Sequence, residues 1–374
     1  MKKVLIVGAG NIGAMIGSLL KSSGDYQVRV ADHDPRALAK VSKLGDLRTL
    51  ELDATDQARL VQALTGCYAV ISAAPYSVTR HIARAAKSAR VHYLDLTEDV
   101  AMTKEVIALA QDADTAFIPQ CGLAPGFVSI VGYDLAQRFD RLDALRLRVG
   151  ALPQFPSNSL AYNLTWSTEG VINEYCQPCE AIVNGELTRV PALEQVERFA
   201  LDGIAYEAFN TSGGLGTLCE TLAGQVRQLN YRSIRYPGHR DIMKTLIHDL
   251  RLGERRELFK EVLENAVPTT MQDVVVIFVT ASGWRDDRLT QESYANKIYP
   301  REISGRTWAG IQITTGSAVC AVLDLLRTGE LRSEGFIRQE QIPLQRFLAN
   351  RFGQAYRLGE PHTAVPLAAT EEAA

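Results

Sequence analysis

The feature that most constrains this chain is a glycine pattern that lies between an apolar strand and an amphipathic helix near the start. The run KVLIVGAG is a continuous apolar stretch of strand length. Apolar residues then follow at helical spacing, namely Ile12, Met15, Ile16, Leu19 and Leu20. Gly8, Gly10 and Gly13 form G-x-G-x-x-G at the junction, where they allow a tight turn, close approach of a pyrophosphate and close helix–strand packing. The pattern predicts a dinucleotide-binding unit; the alternative is a glycine-rich turn without a ligand.

Two further features indicate which dinucleotide would bind. The helix that begins at Asn11 and Ile12 offers free N–H groups and a partial positive charge to the pyrophosphate. Asp32 ends the second predicted strand about 20 residues beyond the motif, where a carboxylate accepts hydrogen bonds from ribose hydroxyls. A carboxylate there repels a 2′-phosphate, and His33 and Asp34 do not provide the arginine typical of an NADP site. The sequence therefore favours NAD over NADP.

The ends of the next two predicted strands extend this cofactor site. Asp53 closes the third strand, where it could bind the adenine amino group or cap the following helix. The segment SAAPY closes the fourth strand and places Ala73, Ala74 and Pro75 beside the expected nicotinamide ribose. Pro75 could equally serve only to end the strand.

The order of predicted elements indicates the fold class. Strands and helices alternate through the first third of the chain, which is typical of a doubly wound parallel sheet. After about Gly126, long strand patterns and an Asn184-Gly185 hairpin signal predict an α+β second domain with a mostly antiparallel sheet. The chain becomes helical again near Thr314, and residues 353–374 are predicted to be a disordered tail.

Composition excludes several classes of function. A net charge of −3 gives no reason to expect a nucleic-acid or acidic-membrane partner. No apolar run approaches the length of a membrane span. Six scattered cysteines are typical of reduced thiols, which predicts a cytoplasmic protein. The pair in CQPC, Cys176 and Cys179, lacks further ligands nearby in the sequence, so no metal site is predicted.

Several segments together resemble the saccharopine dehydrogenase family. In the first third they are VGAGNIG, VISAAPY, VHYLDL and CGLAPGF, and later they are YNLTWSTEGVINEY, YEAFNTSGGLGTL and YRSIRYPGH. Within the family the likeness is greatest to lysine 6-dehydrogenases, through GLAPG, AFNTSGGLGTL and IRYPGH. Saccharopine reductases typically carry GLDPG, whereas this chain has Ala124 at that aspartate position.

The resemblance implies an NAD-dependent oxidoreductase that acts on the carbon–nitrogen bond of an amino acid or amine, such as the ε-amine of lysine. It implies a discontinuous dinucleotide-binding domain, residues 1–124 plus about 308–352, with a substrate-binding and dimerisation domain at 125–307. It also implies a homodimer. The motif CGLAPGF adds Gly122 and Pro125 to the cofactor contacts.

An amino-acid substrate requires a cation for its carboxylate and a base for its ammonium. Arg235 is the candidate cation, since a guanidinium binds carboxylates bidentately; a surface ion pair is the alternative. His239 is the candidate general base, although most lone histidines are structural or exposed. Asp95 could orient the amine at the crevice, or it could cap the helix that begins near Asp99.

Other side chains are candidates for the substrate pocket. Tyr76 could contact the substrate or the nicotinamide ribose. Thr211 and Ser212 of TSGG could form an N–H-rich carboxylate pocket, or a plain turn. Asn163 and Trp166 could line the pocket, although a tryptophan is more often part of a core.

Two other functions remain open at this point. A reductase of the saccharopine or carboxynorspermidine type would condense an amine with an aldehyde, and would often use NADP. A nucleotide-sensing protein would bind NAD without turnover and would tolerate loss of Arg235 and His239.

Overall fold

The computed structural model describes residues 1–44 and 47–358. The strands of this part of the chain, β1 to β17 in order, are Lys2–Val7, Tyr26–Asp32, Arg48–Glu51, Ala69–Ser72, His92–Asp95, Ala116–Ile118, Arg141–Pro153, Cys179–Val183, Glu186–Val190, Glu197–Leu201, Ile204–Asn210, Gln228–Arg235, Asp273–Arg285, Arg288–Ile298, Arg301–Ile303, Arg306–Trp308 and Gly335–Phe336. The α-helices, α1 to α12, are Asn11–Ser22, Pro35–Ser42, Gln57–Leu64, Tyr76–Ala89, Val100–Ala110, Phe127–Ala136, Thr168–Cys176, Leu218–Thr221, His239–Lys244, Arg256–Ala266, Gly310–Arg327 and Leu344–Ala349. Short turns of 3₁₀ helix lie at Leu252–Glu254, Gln339–Gln341 and Gly353–Tyr356, and a π-helical turn lies at Thr245–Asp249.

The first sheet has seven strands in the order β17-β6-β5-β4-β1-β2-β3, and every pair in it is parallel. Helices α1 and α11 cover one face of this sheet, and α3, α4 and α5 cover the other. The continuous apolar character of β1 and β4 follows from burial on both faces. The predicted doubly wound parallel sheet is confirmed.

The second sheet has eight strands and is mostly antiparallel, as predicted. Its main order is β10-β11-β12-β7-β13-β14, and β8 and β9 join it beside β12. Only β7 and β12 run parallel among its pairs in the described residues. Asn184 and Gly185, both with positive φ, form the two-residue turn of the predicted hairpin between β8 and β9.

The chain returns to the first sheet after its second domain. Gly316 of α11 lies so close to α1 that a Cβ there would be 2.8 Å from Met15 Cγ. Asp324 of α11 is buried and accepts hydrogen bonds from Tyr26 Oη at 2.7 Å and Arg351 Nη2 at 2.9 Å. These contacts hold residues 310–351 against the first sheet.

The predicted tail is ordered at its beginning. Gly353–Tyr356 forms a helical turn, and Tyr356 is fully buried with its ring 3.9 Å from that of Phe127. The prediction of disorder is therefore wrong for 353–356, because Tyr356 fills the core beside α6. The rest of that prediction, from 359 to 374, lies outside the described residues.

The described residues include neither a membrane-spanning helix nor a cluster of metal ligands. None of their helices combines the length and the apolar character that crossing a bilayer requires. None of their clusters of histidine, cysteine or carboxylate side chains could hold a metal ion.

Candidate active site

The glycine turn after β1 has the geometry of a dinucleotide cradle. Gly8 has φ +115°, and a Cβ there would be 2.4 Å from the carbonyl oxygen of Ala73. A Cβ on Gly13 would be 1.9 Å from Gly8 O, so the helix needs glycine to pack on the turn. Gly10 is exposed, and a Cβ there would meet nothing within 4 Å. Helix α1 then starts at Asn11 without a side-chain cap, which leaves its first N–H groups for an anion.

Asp32 lies beside this turn at the end of β2. Its carboxylate accepts hydrogen bonds from the backbone N–H of Ala9 at 2.7 Å and of Asp34 at 2.9 Å. The first cation after it is Arg36, which is exposed and lies 3.6 Å from Asp34. Arg36 was not among the predicted site residues. It lies in the first turn of α2, directly after β2. The open space at Gly10, the free helix end and Asp32 together fit a nicotinamide dinucleotide.

The other strand ends around the cradle differ in their roles. Asp53 is exposed and binds Thr55 in a local turn, whereas Asp56 caps α3 through Arg59 N–H at 3.0 Å. The cap interpretation of Asp53 is therefore wrong, and its contact with adenine stays a prediction. The backbone atoms of Ala73 and Ala74 lie against Gly8, as expected for residues that line the cradle. Pro75 precedes the first residue of α4, so its helix-start role is visible while its cofactor contact stays a prediction.

The motif CGLAPGF forms a buried loop between β6 and α6. Gly126 has φ +132°, and a Cβ there would be 2.1 Å from Gly122 O. Pro125 is buried, and a Cβ on Gly216 of the second domain would lie 3.5 Å from it. Gly122 therefore packs within the loop and Pro125 joins the loop to the second domain, while the cofactor contacts predicted for both stay a prediction.

Asp95 ends β5, as predicted, but its carboxylate is bound by groups of the protein itself. Its buried carboxylate accepts hydrogen bonds from Tyr93 Oη at 2.8 Å, Gln120 N–H at 2.8 Å and Thr97 N–H at 3.1 Å. Burial raises its pKa to about 6 despite these bonds. Asp99, and not Asp95, caps α5, through Met102 N–H at 2.8 Å. Asp95 thus fixes the loop after β6, which does not favour the predicted contact with the substrate amine.

Arg235 ends β12 in the interior of the second domain, where it is only 3% exposed. Its guanidinium lies over the ring of Tyr162, 5.1 Å from the centroid, and Nη1 donates to Ile234 O. Its Nε has no hydrogen-bond partner, and no carboxylate of the described residues forms an ion pair with it. A buried arginine without a carboxylate is costly unless a ligand supplies one. The surface ion pair considered from the sequence is excluded.

His239 is the first residue of α9 and is 1% exposed. Leu160 O lies 2.8 Å from Nδ1 and can only accept, so Nδ1 carries the proton. Nε2 therefore accepts the hydrogen bond from Tyr175 Oη at 3.1 Å. Burial and the charge of Arg235 lower the pKa of His239 to about 3. These contacts do not favour the predicted general base and assign His239 to the support of Tyr175.

Two carboxylates missed by the sequence analysis face each other across the domain boundary. Glu174 of α7 is 5% exposed, and burial and the charge of Glu98 raise its pKa to about 8. Glu98, in the loop after β5, has its pKa raised to about 7, mainly by burial, with Asp99 and Glu169 adding to the effect. A Cβ on Gly170, one helical turn before Glu174, would be 3.2 Å from Glu98 Oε1. Glu174 lies within YNLTWSTEGVINEY, a segment that resembles the family, and Glu98 lies two residues after VHYLDL, so the available signal was the resemblance of these segments.

The remaining predicted pocket residues surround this pair. The ring of Trp166 lies against Gly170, 2.4 Å from where a Cβ would be. Ser212 donates its N–H to Glu174 O at 3.0 Å, and Thr211 Oγ1 pairs with Ser233 Oγ at 2.8 Å. Asn163 is 6% exposed and its Oδ1 has no partner. Thr211 thus binds β12 and Ser212 binds the backbone of Glu174, and the N–H-rich carboxylate pocket predicted for TSGG stays a prediction.

Asn173 of α7 links the second domain to the first. Asn173 donates to Asp99 Oδ2 at 3.3 Å and accepts from Arg256 Nη1 at 3.3 Å. Tyr76 lies beside this bridge, and burial raises its pKa, with Glu169 and Asp99 adding to the effect. Tyr76 therefore lies near acidic groups of both domains, and its contact with the substrate or the nicotinamide ribose stays a prediction.

Comparison with protein families decides where this chain belongs. The family model described as the saccharopine dehydrogenase NADP binding domain matches residues 4–118, and that of the saccharopine dehydrogenase C-terminal domain matches residues 122–353. This chain belongs to the saccharopine dehydrogenase family. The resemblance found in the sequence is confirmed, and the fold is that of a family of oxidoreductases.

Individual relatives are distant. Saccharopine dehydrogenase [NADP(+), L-glutamate-forming] of Saccharomyces cerevisiae is 20% identical over 332 residues, which cover 83% of this chain and 72% of the relative. The mitochondrial alpha-aminoadipic semialdehyde synthase of Rattus norvegicus is 25% identical over 196 residues, and this chain spans only 21% of its length. The solved apo structure of the yeast saccharopine dehydrogenase superposes with a TM-score of 0.73 at 16% identity, covering 91% of this chain and 94% of the other.

Proposed function

We propose that this protein oxidises the carbon–nitrogen bond of a cationic amino acid with NAD, and that lysine, oxidised at its ε-amine, is the substrate. The observation that carries the proposal is the buried guanidinium of Arg235. It has an unpaired Nε and no carboxylate of its own. A substrate carboxylate would complete this site with bidentate, charge-assisted hydrogen bonds.

The charge balance of the cleft supports a cationic substrate over saccharopine. Glu98, Asp99, Glu169 and Glu174 act electrostatically on one another or on Tyr76 there. The guanidinium groups that enter the same interactions are Arg235 and Arg256. Lysine brings two ammonium groups and one carboxylate to this site. Saccharopine brings three carboxylates, which disfavour the charged forms of Glu98 and Glu174, whereas the ammonium groups of lysine stabilise them.

The cofactor preference follows from Asp32. Its carboxylate lies beside the glycine turn, and in folds of this type a carboxylate at this strand end binds the ribose hydroxyls and repels a 2′-phosphate. Arg36, which lies next to Asp34, is the group that would favour NADP instead. The experiment below therefore compares both cofactors. The family model and the yeast relative are both named for NADP. When bound, the nicotinamide supplies the acceptor for a hydride.

The chain's own residues bind, orient and deprotonate the substrate. Glu98 lies in the loop after β5, at the carboxyl edge of the first sheet, where ligands of such folds bind. Its pKa of about 7 suits a group that takes a proton from the reacting ammonium. Tyr76 and Trp166 would close the pocket around the aliphatic part of the substrate.

The test is a steady-state assay of NADH formation by the purified chain. Lysine, ornithine, saccharopine and polyamines are compared with NAD and NADP in parallel. We expect turnover of lysine with NAD, loss of about 100-fold or more in kcat/KM for Arg235→Gln, and little change for the exposed Arg146→Gln on β7. Turnover of saccharopine alone would establish the reductase-type alternative. Calorimetric NAD binding without turnover of any of these substrates would overturn the lysine assignment and leave another amine substrate or a sensor.

A further inference from the structure

We infer that Glu174 and Arg235 act together as a reader of α-amino acids, with Glu174 binding the α-ammonium and Arg235 the α-carboxylate. The inference rests on the proposed function for the nature of the ligand. It goes beyond that function because it assigns specificity to a residue, Glu174, and to a defined end of the substrate.

Glu174 is placed as an unsatisfied acceptor. It lies on α7 with 5% exposure, and its carboxylate accepts no hydrogen bond from any described residue. Its backbone is held, since Glu174 O accepts the Ser212 N–H at 3.0 Å. Burial favours the neutral form of this carboxyl group, and a substrate ammonium is the donor that would best stabilise its charged form.

Arg235 is the complementary half of the site. Its charge acts on Glu174, yet the two side chains do not form a direct ion pair. Its unpaired Nε and its position over Tyr162 leave the guanidinium fixed but not neutralised. An α-amino acid carries its two opposite charges one carbon apart. It therefore offers its ammonium to Glu174 and its carboxylate to Arg235, and the two side chains need no direct contact.

Glu98 has a separate role in this arrangement. It comes from the other domain and lies next to Gly170, one turn away from Glu174 on the same face of α7. The two carboxylates share one environment, but only Glu174 is on the element that packs near Arg235. We therefore expect loss of Glu174 to change which ligands bind, and loss of Glu98 to change mainly the rate.

Binding to the NADH-saturated protein tests this inference without turnover, because NADH cannot accept a hydride. The ligands are lysine, 6-aminohexanoate, which lacks the α-ammonium, and cadaverine, which lacks the carboxylate. They are titrated calorimetrically into the wild type, Glu174→Gln, Arg235→Gln and the exposed control Glu186→Gln. The same proteins are assayed for NADH formation with lysine and NAD.

The expected result is selective. Glu174→Gln weakens lysine binding by about tenfold or more, as expected for a charged hydrogen bond, but changes 6-aminohexanoate by less than about twofold. Arg235→Gln weakens both of these ligands and spares cadaverine. Glu174→Asp, which keeps the charge, restores part of the lysine affinity.

Other results overturn the inference. Equal weakening of lysine and 6-aminohexanoate by Glu174→Gln would show a merely structural role, as would unchanged lysine binding. An unchanged thermal midpoint of Glu174→Gln shows that the variant folds, and Glu174→Asp replaces it if that midpoint falls. Lysine binding with this selectivity but without NADH formation would reject the proposed function and keep the inference.

Discussion

At the scale of single residues, His239 shows how burial changes a role that the sequence suggested. A histidine near neutral pKa is a natural candidate for a general base. Here Nδ1–H donates to Leu160 O and Nε2 accepts from Tyr175, so no lone pair is left for a substrate. Its side chain serves to hold Tyr175, whose ring lies 5.8 Å from the guanidinium of Arg235.

The first prediction concerns His239→Gln. At pH 7 to 8 we expect kcat to fall by less than about tenfold, whereas loss of a general base would cost about 100-fold or more. The pH profile of kcat should keep its shape, because the titrating group is elsewhere. A fall of kcat by several orders of magnitude, with the acid limb of the profile lost, would restore His239 as the base.

The same variant has a second signature in stability. The unfolded chain protonates this histidine below about pH 6.5, whereas the folded protein keeps it neutral down to a pKa of about 3. The unfolded state therefore binds more protons in this window, and the free energy of unfolding decreases as the pH falls from 6.5 toward 3. Chemical denaturation of His239→Gln from pH 7 to pH 4 should show a smaller decrease than the wild type. Asp95 and Asp273 have raised pKa values, so they increase the free energy of unfolding as the pH falls. Both proteins contain them, so their effect cancels when the wild type and His239→Gln are compared.

A second residue-scale prediction separates the two uses of glycine in the first motif. Gly10 has φ −71°, so alanine fits its backbone, and its Cβ would enter open space. We expect Gly10→Ala to keep the thermal midpoint but to weaken NADH binding by about tenfold or more, because the Cβ occupies the approach of the pyrophosphate. Gly13→Ala should instead lower the midpoint, because its Cβ would collide with Gly8 O. Fluorescence titration and thermal unfolding measure both; a Gly10→Ala protein with normal NADH affinity would contradict the cradle.

Sequence reasoning succeeded where chemistry is local and failed where it depends on tertiary contacts. The roles of Gly8 and Gly13 follow from one short motif. Arg235 could be selected by its charge type, but its burial could not be read from the sequence. Glu98 and Glu174 were missed because each is an ordinary glutamate until the fold brings the two domains together.

At the scale of elements, helix α11 is held by a cap from another sheet. Its first N–H groups, those of Gly310 and Ile311, donate to the carboxylate of Asp273 on β13 at 2.6 and 2.8 Å. Asp273 is fully buried, and burial raises its pKa to about 6. The helical pattern near Thr314 could be predicted from periodicity, but a cap supplied by a residue some 40 positions away leaves no local signal.

The prediction for this element is Asp273→Asn. The amide can accept only with its single oxygen and places an N–H₂ group against a helix N-terminus. We expect a loss of about 1–3 kcal/mol in the free energy of unfolding. The exposed Asp286→Asn, on the turn between β13 and β14, should change it by less than about 0.5 kcal/mol. Equal effects of the two substitutions in urea denaturation would show that the buried cap is not needed.

At the scale of the whole molecule, the chain builds one domain from both ends of its described part. The strand order of the first sheet follows from the alternating pattern and the right-handed crossover rule, but β17 at its edge is only two residues long. Such a strand has no recognisable pattern. The domain bridge of Asp99, Asn173 and Arg256 has none either, because it joins three separate segments.

The last prediction concerns Tyr356, which helps to hold the C-terminal part of the described chain against the rest of the molecule. Tyr356 stacks on Phe127 of α6, the helix between the two sheets, and donates its hydroxyl to Thr314 O of α11 at 2.7 Å. It also accepts, through its carbonyl oxygen, the hydroxyl of Tyr294 on β14 at 2.7 Å. Tyr356 therefore contacts α6 and α11 through its side chain and β14 of the second sheet through its backbone. We expect Tyr356→Ala to cost about 3–5 kcal/mol, because it opens a cavity and removes the hydrogen bond to Thr314 O.

The matched control is Leu358→Ala, two residues further on, where the side chain is 57% exposed. It should change the free energy of unfolding by less than about 0.5 kcal/mol. Tyr356→Phe, which removes only the hydroxyl, should cost about 1 kcal/mol and so separates the hydrogen bond from the packing. Thermal and urea unfolding of the four proteins give the comparison. If Tyr356→Ala behaved like Leu358→Ala, the turn at 353–356 would be docked without contributing to stability.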